Sequence, residues 1–150
     1  MRPPQLGLFH EGRTRLSHAT YNLAAEELPL HMPGSPNTVG WLLHHIAEWE
    51  LLFATHLFPR PTAAVALKRH LNKPHIEHLH DLQLTLHRLN DSGQALENAI
   101  LNTPEVAWET AVVTEEFGSQ QLAAYLGRIL THTAYHAGQV MMIRKYAPRR

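Results

Sequence analysis

Residues 120–146, QQLAAYLGRILTHTAYHAGQVMMIRKY, decide the reading of the fold. Leu122, Leu126, Ile129, Thr133, His136, Val140 and Ile143 recur at steps of three and four, the spacing of one helix face, and Pro148 stops the pattern. A helix is therefore expected from about Gln120 to Tyr146. A long helix with one apolar face has to bury that face against other elements.

Working outward, three more segments have the same character, separated by prolines at 29–36, 59–61, 74 and 104. The first runs from about Glu11 to Glu27, marked by Leu16, Ala19, Leu23 and Ala24. The second follows Ser35-Pro36-Asn37, where Asn37 is a candidate N-cap, and runs to about Leu57. Its stripe is Val39, Leu42, Leu43, Ile46, Trp49, Phe53 and Leu57. The third runs from about Pro74 to Leu101 on Leu79, Leu82, Leu86, Leu89, Leu96 and Ile100. Between the third and fourth, Ala111-Val112-Val113-Thr114 reads as a short strand, closed by Gly118. Four amphipathic helices with little strand predict an all-α four-helix bundle forming a single domain over residues 1–150. The link 58–73 is too long for a tight hairpin and predicts a crossover or a short extra helix.

Composition narrows the function classes. An apolar fraction of 44% with 17% charged residues excludes the signature of a disordered chain. No apolar run reaches the ~20 residues of a membrane helix, and Met1–His10 lacks the apolar stretch of a secretory signal. The expectation is a cytoplasmic protein with no membrane partner. Thirteen Lys and Arg balance thirteen Asp and Glu, so there is no basic excess and nucleic acid is not an expected partner. Cysteine is absent, which removes disulfides, thiolate ligands and a cysteine nucleophile from this chain.

Histidine is the anomaly, at 13 of 150 residues. At about 100° per residue, His136 falls roughly 20° from Ile129 and His132 roughly 60°, both inside the apolar stripe. They are four residues apart, so their rings stand one turn apart on one face. Two such imidazoles can share a metal ion, or they can be neutral core rings satisfied by carbonyls or water. On the second helix, His45 falls roughly 100° from Ile46, at the stripe's edge, and His44 roughly 160° away, on the side expected to face solvent. His45 is thus the third candidate. Three histidines and an open position is the layout of a catalytic zinc-type site.

Other motifs fit less well. His132-Thr133-Ala134-Tyr135-His136 lacks the glutamate of the zinc-peptidase helix. A di-iron bundle needs two Glu-x-x-His motifs, and only Glu77 to His80 has that spacing. No glycine-rich phosphate loop is present.

Two stretches carry a resemblance. Asn37-Thr38-Val39-Gly40-Trp41-Leu42-Leu43-His44-His45-Ile46-Ala47-Glu48-Trp49-Glu50 resembles the second-helix signature of the DinB/YfiT-like superfamily, and His132 to Val140 resembles its last-helix signature. Ala137 stands where that signature often has a basic residue. The resemblance implies a bundle of up-down-down-up connectivity with a long crossover, and a homodimer. It implies His45, His132 and His136 as ligands of one divalent ion, zinc or nickel. It further implies a small-molecule substrate. Some members are thiol S-transferases or isomerases using a low-molecular-weight thiol cosubstrate, and many have no known activity. Three functions follow as expectations: thiol transfer to a small electrophile, hydrolysis by a metal-activated water, or a metal-binding bundle without turnover.

Three more residues are candidates beside the ligands. Gln139 lies one turn past His136 and reads as a partner for that ring or a surface amide. Glu50 falls roughly 40° from Ile46, inside the stripe, where a carboxylate needs a partner. Tyr125 shares the face of His132 and reads as core packing or pocket wall. Trp41 and Trp49 flank His45 at four residues on either side, as a hydrophobic wall.

Overall fold

The computed structural model describes residues 2–71 and 78–149. Four long helices dominate: α1 (Pro4–Thr20), α2 (Val39–His56), α3 (Leu82–Leu101) and α4 (Leu122–Tyr146). A small hairpin, β1 (Ala111–Thr114) and β2 (Gly118–Gln121), stands between α3 and α4. The protein is thus mostly helical rather than purely so. Among the described residues no helix is long and apolar enough to cross a membrane.

The helix starts are set by local chemistry. α1 begins at Pro4, seven residues before the expected Glu11, because a proline at the first helical position loses no hydrogen bond and is already at helical φ. It ends at Thr20, well short of Glu27, where Asn22 turns the chain at φ 49°. Arg144 of α4 caps that end, donating to the carbonyls of Ala19 and Tyr21 at 2.9 and 3.0 Å and to the Glu27 carboxylate at 2.8 Å. The N-cap of α2 is Thr38, not Asn37; its hydroxyl accepts the N–H of Trp41 at 3.0 Å. α3 starts at Leu82 under the Asp81 cap. The expected start at Pro74 and the Glu77 of the di-iron spacing lie outside the described residues. The buried face of α3 is Thr85, Leu89, Ser92, Gly93, Leu96 and Ile100, so Leu86 is exposed and polar residues take part of the seam.

The hairpin pairs Ala111 with Gln121 through Thr114 with Gly118. Gln120 and Gln121 are therefore strand, and α4 starts two residues later than expected. The described part of the link, residues 58–71, docks on this hairpin: Val65 bridges Thr114, and the Glu116 carboxylate accepts the N–H groups of Leu67 and Lys68. A 3-10 turn, Leu67–His70, is the short extra helix.

α2 packs against both α3 and α4, and α1 lies on α4 and α3. Gly40 permits the closest approach, since a Cβ there would come within 1.9 Å of the Leu79 carbonyl oxygen. The core has two apolar clusters. One holds Phe9, Trp49, Phe53, Leu96, Tyr125 and Ile129 near the hairpin; the other holds Leu16, Leu43, Ile46, Leu89, Ala137 and Val140. A polar layer divides them, contributed by Arg13, Glu50, Ser92 and Thr133, one residue from each long helix.

Candidate metal centre

α2 and α4 cross so that His45 faces the His132/His136 pair. Their ring centroids lie 4.9, 4.8 and 4.5 Å apart, and one ligand nitrogen from each lies within 4.8 Å of the others. Nε2 of His45 and Nε2 of His132 are 3.1 Å apart. Nitrogens bound at ~2.0–2.1 Å around a tetrahedral ion stand about 3.3 Å apart, so this pair is already near ligand spacing.

Neighbours orient two of the three rings. Trp41 stacks on His45 at 4.7 Å, nearly parallel at 13°, and Trp49 meets it edge-on at 6.2 Å. Gln139 Oε1 accepts from His136 Nδ1 at 2.5 Å. An amide oxygen can only accept, so this contact uses the Nδ1–H of His136 and leaves Nε2 as the ring's available ligand atom. His132 Nδ1 is buried with no hydrogen-bond partner among the described residues. That orphan costs about 1–3 kcal/mol, which a bond from the other nitrogen to an ion would offset. Burial, then the charge of His136, pushes His45 down to about 4. Burial, then the charges of His136 and His45, pushes His132 down to about 3. Both rings are therefore neutral at pH 7, the ligating form. Three imidazoles without a hard carboxylate suit zinc, nickel or copper better than magnesium or calcium. The donor set fits a borderline divalent ion.

Glu50 lies beside this cluster but does not face it. It is 1% exposed, pairs with Arg13, and accepts from Ser92 at 3.0 Å and from Thr133 at 2.9 Å. Thr133 stands between His132 and His136 in sequence, so the bond ties the ligand-bearing turn of α4 to α2. Tyr125 is fully buried; its hydroxyl donates to Gly118 O at 2.8 Å and meets Thr114, fastening the hairpin to α4. It is core and does not line the cavity.

His44 corrects the sequence reading. It is 6% exposed rather than solvent-facing, with Nε2 against Thr85 Oγ1 at 2.9 Å and Nδ1 accepting from Arg88 at 3.0 Å. The start of α3 covers that position on α2. Leu51, at a similar angle two turns later, is 49% exposed.

A cavity of about 450 Å³ opens onto His45 and His132, walled by Trp49, Phe53 and Phe117, with Arg128 on its lining. None of the residues lining it is acidic. Sequence reasoning missed Arg128 and Phe117. Arg128 is one turn before His132, so the spacing that found His136 also reaches it; nothing local marks Phe117.

The DinB superfamily profile matches residues 8–140, spanning all four helices and the three histidines. The chain belongs to the DinB superfamily. No curated protein and no solved structure gives a significant match.

Proposed function

We propose that His45, His132 and His136 hold one divalent ion, zinc or nickel, and that the protein is a metal-dependent enzyme joining a low-molecular-weight thiol to a small electrophile. The observation that carries this reading is the convergence of three imidazoles, two of which, His45 and His132, line an open cavity. A bound ion would supply positive charge that keeps a thiol deprotonated near neutral pH. The chain's own residues do the rest. Gln139 holds the His136 proton on Nδ1, Trp41 and Trp49 fix the His45 ring, and the Trp49, Phe53 and Phe117 walls limit water at the reacting end. Thiol transfer is favoured over hydrolysis because the lining carries no carboxylate to act as base, and Glu50 is spent on Arg13, Ser92 and Thr133.

The scaffold of this reading is an up-down-down-up bundle with the 58–73 link as its crossover. His44 meets Thr85 and Glu50 meets Ser92, so α2 and α3 run parallel to each other. Gly12 lies against Leu130 and Ala19 against Arg144, so α1 and α4 do likewise. A homodimer completes the proposal, with the exposed Tyr135, Met142 and Tyr146 on α4 as available apolar surface.

The test is cobalt substitution followed by a thiol screen. A thiolate-to-cobalt charge-transfer band, absent in His45→Ala, is the expected result. If cobalt binds and no thiol gives the band, thiol transfer is contradicted. Ester or amide hydrolysis by the same protein would then point to water activation, and its absence to a bundle without turnover.

A further inference from the structure

Arg128 is placed unlike three arginines that tie the helices together. Arg13, Arg88 and Arg144 each end on protein acceptors. Arg128 makes no hydrogen bond or ion pair among the described residues; its guanidinium lies over the Phe117 ring, 4.1 Å from the centroid. Stacking uses the face of the guanidinium and leaves its in-plane N–H fork unspent. It also restrains a side chain that would otherwise lose rotamer freedom on binding.

The surroundings select what the fork would hold. The cavity wall is aromatic, through Trp49, Phe53 and Phe117, and its lining has no acidic residue to compete for Arg128. Trp49 links the two ends, its ring 5.8 Å from His132 and 6.4 Å from Phe117. Phe117 is held by the hairpin: its N–H donates to Thr114 Oγ1 at 2.9 Å, and Thr114 meets the buried Tyr125 hydroxyl. The hairpin thus supplies a fixed aromatic seat for the cation. Arg128 and His132 are four residues apart on α4, about 6 Å along the axis.

We propose that this cavity selects an apolar carboxylate, most favourably an aromatic one: the carboxylate takes the Arg128 fork, the ring packs against the aromatic wall of Trp49, Phe53 and Phe117, and the opposite end is directed toward the histidines. This assigns the electrophile's class and rests on the function proposed above for the histidine end. Arg128 is exposed at the cavity's rim, and a carboxylate held bidentately by its fork gains a charge-assisted pair while its apolar part packs on the aromatic wall. A neutral molecule of the same shape gains only the wall contacts.

The experiment follows the tryptophan indole N–H signals by NMR while 3-phenylpropanoate or its neutral amide is titrated in. It is run on zinc-loaded and on chelator-treated protein, with wild type, Arg128→Gln and Arg128→Lys. The carboxylate should bind wild type with or without zinc. In Arg128→Gln its affinity should fall about tenfold or more, the loss expected for one charged hydrogen-bonded pair. Arg128→Lys should recover part of it. The amide should bind weakly and equally to wild type and Arg128→Gln. Equal binding of carboxylate and amide, an unchanged affinity in Arg128→Gln, or no binding to wild type overturns the proposal. Binding only in the presence of zinc also overturns it, because the carboxylate would then be seated on the ion. Failure of the protein to take up zinc would instead count against the metal reading, and the chelated arm would still decide the role of Arg128.

Discussion

His44 and His45 are neighbours in sequence, both are pushed down to about 4 chiefly by burial, and they do opposite things. His44 turns toward α3 and spends both ring nitrogens: Arg88 donates to Nδ1, and Nε2–H donates to Thr85, whose own hydroxyl donates to Asp81 O at 2.7 Å. His45 turns toward α4 and meets two more imidazoles, with an open cavity beyond. Burial and a depressed pKa therefore do not mark a ligand. What marks one is a ring nitrogen that meets further imidazoles beside an open cavity.

The comparison divides α2 into a side that holds the bundle together and a side that binds, and substitutions should separate the two. The largest effect is expected from Glu50→Ala, which leaves the Arg13 guanidinium in the polar layer without its carboxylate. We expect a loss of about 3–5 kcal/mol in urea unfolding. A loss under 1 kcal/mol would mean that the layer is not the tie between helices described above. His44→Ala should cost about 1–3 kcal/mol, from the unpaired Thr85 and the lost ring, with metal affinity unchanged. Gln139→Ala should reverse that pattern, weakening zinc affinity about 10–100-fold with little change in unfolding. Competition with a chromogenic chelator reads it directly.

A further effect is in pH. An unfolded histidine titrates near 6.5, whereas burial, then the Arg88 charge, holds His44 at about 4, and burial, then His136, holds His45 at about 4. His132 is lower still, at about 3. Between pH 6.5 and about 4 the unfolded chain binds protons that the folded one refuses, so the stability of metal-free protein is complete above 6.5 and falls as the pH drops through that window. Thermal unfolding at pH 7.5, 6 and 5 should show a falling Tm; a flat profile would contradict neutral buried rings at these positions.

Much of this was legible in the sequence because period and spacing are local. The α4 stripe and the four-residue step from His132 to His136 placed both rings on one face, and Trp41 and Trp49 flanked His45 by the same rule. The side of His44 was not legible. A helical wheel assumes one buried side, and α2 has neighbours on two, with the start of α3 lying over His44 and leaving Leu51 exposed. The start of α1 was missed although Pro3-Pro4 signals it, since a proline pair also reads as a break. The Arg13–Glu50 pair joins residues 37 apart and leaves no local trace.

The most direct test of the central claim is metal content. Protein purified without a histidine tag, saturated with zinc and exhaustively dialysed, is assayed by mass spectrometry for wild type, His44→Ala and His45→Ala. The account predicts one tightly held ion per chain in wild type and in His44→Ala, and none in His45→Ala with the helical circular dichroism intact. Zinc retained by a folded His45→Ala, or lost from a folded His44→Ala, would contradict it.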